Sequence, residues 1–273
     1  MKKPFLFFYA CILSLNGYSQ DTISVLTHNV LAFSGHPKEI HHTDSIILQN
    51  AIAFYREINP DIIILQECPA IENVKKLADS LHYDFEFFKP RFQGNNQFPY
   101  GFPGCIMTRF PIIESYDFLN DREGIPDSIF ERHFGMVKLE TENGTIQVTG
   151  LHLCADFNGK FREGTRLREI DLALTKIITC DTCFLNILAG DFNSKPFSLP
   201  YNSILERGYK DTHFDSNYAT VPIPNPTVRI DYIFVKSRRQ VRFFPIKLEL
   251  PYYRESDSYL SDHLPLLTKF IVY

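Results

Sequence analysis

No internal repeat, no Gly/Ser-rich linker and no run of like charge occurs in the 273 residues. That excludes solenoid arrays, flexible tethers and charged disordered tails. A basic excess is also missing: 28 Lys and Arg stand against 32 Asp and Glu, for a formal net charge of -4. A module that holds nucleic acid mainly by neutralising phosphates would carry the opposite balance. An enzyme that meets phosphate through a metal and a few local cations is still allowed. The apolar run from Pro4 to Leu15 is too short for a bilayer span, which needs about 20 apolar residues. What is present is 44 % hydrophobic and 14 % aromatic residues, ample for one large core.

Lys2 and Lys3 precede that apolar run, and Asn16-Gly17-Tyr18-Ser19-Gln20 follows it. A basic start, a short apolar stretch and a polar end with small residues make a secretory signal peptide. Cleavage is expected near Gln20, giving an exported chain, secreted or periplasmic, of one domain over residues 21–273, with no stable membrane insertion and no obligate protein partner in evidence. Cys11 would leave with the leader, and Phe8-Tyr9-Ala10 before it is a poor lipoprotein site. Of the five cysteines left, Cys180 and Cys183 in Cys-Asp-Thr-Cys are expected to form a local disulfide in an oxidising compartment. The segment lacks thioredoxin-like surroundings and the two further ligands that zinc would need. Cys68, Cys105 and Cys154 fall in apolar segments and read as small buried hydrophobes.

Along the chain, Ile23 to Val30 alternates as a strand. Thr43 can cap a helix running to Ile58, with Ile47, Ala51, Phe54, Tyr55 and Ile58 on one face, and Asn59-Pro60 stops it. Asp61 to Gln66 is apolar on both faces, as in a strand buried in a central sheet. A second helix covers Ala70 to Leu81. Gly104 to Arg109 and Ile112 to Phe118 read as neighbouring strands broken by Pro111. Phe134 to Glu140 and Ile146 to Leu153 form a hairpin around Asn143-Gly144, a pair suited to a type I′ turn. A helix from Arg162 to Thr179 leads to a strand at Phe184 to Ala189, and Arg229 to Val235, Val241 to Leu250 and Leu266 to Val272 complete the strands. Helix-linked strands and direct hairpins occur in both halves, which fits two packed sheets with helices outside.

Polar residues recur where the apolar strands end: Asn29 in Leu-Thr-His-Asn-Val, Glu67 in Ile-Leu-Gln-Glu, and His152 in Gly-Leu-His-Leu. Asp191 and Asn193 follow in Ala-Gly-Asp-Phe-Asn-Ser, then Asp231 in Arg-Ile-Asp-Tyr-Ile-Phe-Val, then Asp262 and His263 in Ser-Asp-His-Leu-Pro-Leu. Any one alone could cap a turn. Six such segments together point to a site built where strand ends meet loops.

These segments, in this order, resemble the endonuclease/exonuclease/phosphatase superfamily, the deoxyribonuclease I-like fold, from Asn29 to His263. The resemblance implies an α/β fold, a four-layer αββα sandwich of two mixed sheets with helices outside, whose loops form one metal-bearing cleft. It implies a phosphate-ester hydrolase using Mg²⁺ or Mn²⁺, with Glu67 as a hard oxygen ligand, Asn29 adding an oxygen or orienting that carboxylate, and Asp262 an acid near the metal. Asp191 would orient or deprotonate the attacking water, and Asn193 would donate to a phosphoryl oxygen. Asp231 and His263 match a carboxylate-imidazole pair, and His152 a second imidazole contacting the phosphate or assisting the leaving group. Arg109 matches a structural position, and Arg166-Leu167-Arg168-Glu169 also resembles a family segment, with solvated arginines as the simpler reading.

Membership of such a family gives the reaction and leaves the substrate open. A phosphodiester, with nucleic acid first, is the leading class. A sugar, inositol or lipid-head-group phosphate is the alternative, and a non-catalytic binding protein on the same fold is a third reading. The loop from Lys89 to Gly104 carries aromatics that could line the cleft and stack on bases or a sugar ring.

Overall fold

In the computed structural model the described residues are 22–120, 125–126, 129–156, 159–177, 180, 182–215 and 217–273. The expected signal peptide, residues 1–20, lies outside them. The elements in chain order are β1 (Thr22–Asn29), α1 (Ser45–Ile58), β2 (Ile62–Gln66), α2 (Ile71–Leu81), β3 (Asp84–Phe88), β4 (Gly104–Thr108), β5 (Ile112–Asp117), β6 (Phe134–Thr141) and β7 (Gly144–His152). The second half adds α3 (Glu163–Lys176), β8 (Cys183–Asp191), α4 (Leu199–Glu206), β9 (Lys210–Asp211), β10 (Asp231–Ser237), β11 (Val241–Ile246), β12 (Tyr252–Tyr253), β13 (Ser258–Tyr259) and β14 (Leu266–Val272).

Two six-stranded sheets result, ordered β11-β14-β1-β2-β4-β3 and β5-β6-β7-β8-β10-β9. Both are mixed: β1 runs parallel to β2, and β7 parallel to β8, among antiparallel neighbours. Side-chain alternation assigns the faces. On β8, Leu185, Ile187 and Ala189 join a core shared with Ile62, Ile64 and Ile106 of the other sheet. Leu188, one residue out of phase, packs in a second core with Ile170 and Ala173 of α3 and Ile204 of α4. Helices α1 and α2 bury Ile47, Ala51, Tyr55, Val74 and Leu77 in the first core, against the opposite sheet. The layers are therefore α, β, β, α, and each fully buried aliphatic side chain contributes about 1.5–3 kcal/mol.

Several local expectations are corrected. Strands β4 and β5 lie in different sheets: β4 is buried along its whole length between β2 and β3, whereas β5 is a largely exposed edge strand on β6. Arg109 to Pro111 thus carries the chain from one sheet to the other. The hairpin turn is centred on Glu142 and Asn143, since Thr141 pairs with Gly144, and the positive φ of +119° falls on Gly144 at the start of β7. Asp44 caps α1 in place of Thr43, its carboxylate accepting from the Ile46 and Ile47 N–H groups. Arg166 is buried rather than solvated, held by the Cys154 carbonyl and by Asp156 at 2.7 Å. Strand β3 and helix α4 had no expectation attached. Arg109 is structural, paired with Asp61 and bonded to Asn59 and Tyr83. Cys180 and Cys183 are disulfide-bonded, and Cys68, Cys105 and Cys154 are free and buried.

Candidate active site

Strand parity brings the polar residues together. Asp191 shares a face with Leu185, Ile187 and Ala189; Asp231 with Ile233 and Val235; and His152 with Ile146 and Val148. All three side chains therefore project between the sheets at the same end of the sandwich, where Asp191 pairs with both Asp231 and His152 in register. From the other sheet, Asn29 ends β1 level with Gln66, and Glu67 follows β2.

The turn after β1 fixes these two. Leu31, Ala32 and Phe33 are buried and all have positive φ, 48°, 54° and 52°. Each such residue costs about 1–2 kcal/mol, so the turn persists only because its surroundings impose it. It supplies the Ala32 N–H to the Glu67 carbonyl and the Leu31 N–H to Asn29 Oδ1. With its oxygen engaged, Asn29 turns Nδ2 to Glu67 Oε1 at 3.1 Å and to Asp191 Oδ2 at 3.2 Å. The amide bridges two carboxylates from opposite sheets. Glu67 and Asn193 are also left-handed, at φ 52° and 47°, the clustering of strained residues that functional sites show.

Asp191 lies at the centre. Its Oδ1 accepts the Asn193 N–H at 2.8 Å, and Oδ2 lies 3.1 Å from His152 Nε2 and 3.9 Å from His263 Nε2. Burial, then the nearby Asp231 charge, pushes its carboxyl up to about 7. His263 Nδ1 donates to Asp231 Oδ2 at 2.9 Å. Burial opposes charge on this ring, but the Asp231 carboxylate, helped by Asp191, outweighs it and raises the imidazole to about 10. His152 goes the other way, held well below the ordinary value by burial and then by Arg132. The surroundings thus favour the charged form of His263 and the neutral form of His152.

Asn193 Nδ2 donates to the Leu153 carbonyl at 3.0 Å and lies 3.3 Å from His152 Nε2. Asp262 is the predicted residue that stands apart: its carboxylate meets Ser261 Oγ at 3.3 Å, and its backbone carbonyl accepts from Ile223. Among the described residues it does not join Glu67, and its charge acts on His263 from outside the cluster. His28 reads as structural, bonded through its two ring nitrogens to Tyr55 and to the His263 carbonyl.

Arg132 was missed. Its guanidinium contacts His152 Nε2 and lies 4.5 Å from the centre of the Phe102 ring. It is half-buried while His152 is fully buried, so the cation covers the imidazole expected to meet phosphate directly. Glu169 braces both, accepting from the N–H of Phe130 and of Cys154. Of the loop before β4, Phe102 reaches the site and Phe92 and Phe98 pack against it. No sequence signal marks Arg132, which precedes β6 in an unpatterned segment.

Two facing sheets with carboxylates, amides and imidazoles at one end define a phosphoesterase-type α/β sandwich. The sequence profile of the endonuclease/exonuclease/phosphatase family matches residues 26–263, and the chain belongs to that family of metal-dependent phosphoesterases and nucleases. No curated protein sequence matches it. Among solved structures, an endonuclease/exonuclease/phosphatase family protein from Bacteroides thetaiotaomicron is 20 % identical, covering 93 % of this chain and 99 % of its own, with a TM-score of 0.67. D. rerio TDP2 complexed with a single-strand DNA product is 18 % identical over 91 % of this chain and 98 % of its own, TM-score 0.65. Truncated Caenorhabditis elegans TDP2 is 16 % identical over 92 % and 98 %, TM-score 0.63. At these identities the likeness is one of fold.

Proposed function

We propose that the chain is an exported phosphodiesterase that cleaves nucleic acid by attack of water, with Mg²⁺ or Mn²⁺ bound. The observation that carries this reading is the Asn29 amide bracketed by Glu67 and Asp191, across from the Asp231–His263 pair. The residues fit a hard cation. Two carboxylates converge on one amide, Asp231 Oδ1 is buried without a partner, and the donors are oxygens of the kind Mg²⁺ selects. Asp191, Asp231 and His263 could also place ligand atoms within 4.8 Å of one another, but Asp231 is already engaged by His263 Nδ1. Glu67, with Asp191 beside it, is therefore the holding group. When bound, such a cation offsets the charge that gathers on phosphoryl oxygens.

The protein's own groups divide the remaining work. Asp191, whose carboxyl is raised by burial and by the Asp231 charge, is placed to take a proton from water. As the water oxygen bonds to phosphorus and the ester P–O bond breaks, that proton passes to Asp191. The leaving oxygen takes the Nε2 proton of the His263 imidazolium. Asp231 keeps that ring oriented and charged. Arg132 is the half-buried cation available to a phosphoryl oxygen, and the Asn193 amide backs His152 beneath it. D. rerio TDP2 with its DNA product supports nucleic acid as the first substrate class to try.

Export is supported by the leader-like residues 1–20, and the Cys180–Cys183 disulfide suits an oxidising compartment. A panel of plasmid DNA, RNA, single-stranded oligonucleotides, a generic diester, sphingomyelin and inositol phosphates tests the reaction. Metal-dependent cleavage of nucleic acid is expected, and hydrolysis of monoesters alone would overturn the diester reading.

A further inference from the structure

Immediately beyond Asn193 the chain makes a turn that its sequence disfavours. Lys195, Pro196, Phe197 and Ser198 close it through the Ser198 N–H to the Lys195 carbonyl at 3.2 Å. Proline suits the second position, but the third has φ +65°, where glycine is the ordinary residue, and it is phenylalanine. That side chain is 69 % exposed. A large aromatic ring is thus held largely out to solvent on a strained backbone. Phe214, 55 % exposed, meets it edge to face at 6.1 Å, and the Tyr201 ring lies 5.8 Å from it.

The rings line a groove of about 460 Å³ together with Lys195, Asn217 and Val228. Its two walls are extensions of the active site. One continues from Asp191 and Asn193. The other, residues 217–229, is tied to the residues on either side of His263, through the Thr220 carbonyl to the Leu264 N–H at 2.8 Å and the Ile223 N–H to the Asp262 carbonyl at 3.0 Å. Lys195 is exposed and makes no ion pair among the described residues, so the groove offers a cation, aromatic side chains and an amide in one place. That combination complements a nucleotide: charge for the phosphate, a stacking surface for the base and a hydrogen-bonding edge.

We propose that the Phe197–Phe214 groove is a base-stacking subsite that seats the nucleobase next to the scissile phosphate. The proposal rests on the phosphodiesterase reading and specifies which part of the substrate the protein grips. Stacking tolerates any base, so the subsite confers a demand for a base without a demand for sequence.

The test compares a short single-stranded oligonucleotide with an abasic oligonucleotide of the same length, using the full chain with Mg²⁺. The wild type should prefer the base-bearing strand by about tenfold or more in kcat/KM. Phe197→Ala and Phe214→Ala should collapse that ratio, and Phe197→Trp should keep it. Melting curves check folding. Fluorescence anisotropy with both oligonucleotides reads the same ratio without turnover. A chain that cleaves neither strand overturns the phosphodiesterase reading, while a base preference in binding that Phe197→Ala removes still supports the groove. No preference in the wild type, or an unchanged preference in Phe197→Ala, overturns it. So does Phe197-dependent retention on phosphatidylcholine vesicles in the absence of any base preference.

Discussion

His263 Nδ1 donates to Asp231 Oδ2 at 2.9 Å, while the other oxygen of that carboxylate is buried without a partner. One imidazolium therefore sits on one carboxylate, and its ring is raised to about 10 despite burial. The sign follows: a histidine raised from 6.5 contributes stability that is fully present below that ordinary value and lost as pH passes through about 10. His263 should show no titration by NMR below pH 8. In Asp231→Asn burial remains and the countercharge goes, so the ring should titrate well below its wild-type value. Turnover should fall about 10²-fold or more. A double-mutant cycle with His263→Ala should be far from additive, because the two act as one unit. Ordinary titration of His263 in the wild type would refute the pair.

Asp191 and His152 were legible because each closes an apolar strand, and Asp231 because it opens one, and parity alone sends such a residue between the sheets. Arg132 was not, because it is placed by Phe102 and His152, neither of which is near it in sequence. The same limit explains β4 and β5. Two short apolar runs around a proline read as neighbours, whereas Pro111 marks the change of sheet and only the exposure of β5 betrays its edge position. The hairpin turn lies one residue earlier than Asn143-Gly144 implies, and of that pair Gly144 alone has a positive φ.

Glu67 and Asp191 converge on Asn29 from different sheets, so a cation bound there should stabilise the fold as well as activate it. Chelation should abolish turnover, and Mg²⁺ or Mn²⁺ should restore it. At 100 times its dissociation constant a cation adds about 2.7 kcal/mol, visible as a rise in Tm. Glu67→Gln should lose most of that rise while unfolding normally without metal. Full turnover after exhaustive chelation would overturn the metal requirement.

Arg132 offers a planar cation stacked on Phe102 and aimed over His152. Arg132→Ala should raise KM and lower kcat/KM by about 10- to 100-fold, the worth of a charge-assisted hydrogen bond. Arg132→Lys should recover little, since an ammonium neither stacks nor forks. The charge also helps hold His152 down, so its imidazole should titrate higher in Arg132→Ala. A role confined to packing would leave that titration unmoved.

Gly190 precedes Asp191 at φ +147°, and a Cβ there would run into the carbonyl oxygen of Leu151, its partner in the β7–β8 ladder. Backbone is the obstacle, so no side-chain adjustment relieves it. Gly190→Ala should cost about 2–4 kcal/mol, at the high end for a single methyl group, and should displace Asp191 from Asn29 and His152. Gly164, in the first turn of α3, supplies the contrast: a Cβ there meets nothing within 4 Å. Gly164→Ala should be neutral or stabilise by about 0.4–1 kcal/mol, through the lower entropy of the unfolded chain. Urea unfolding of both variants, with turnover measured at a temperature where each is folded, separates the two effects. If folded Gly190→Ala kept wild-type activity, the pairing at Leu151 would have no part in aiming the carboxylate. If both substitutions cost the same, local sterics would not be what demands glycine before Asp191.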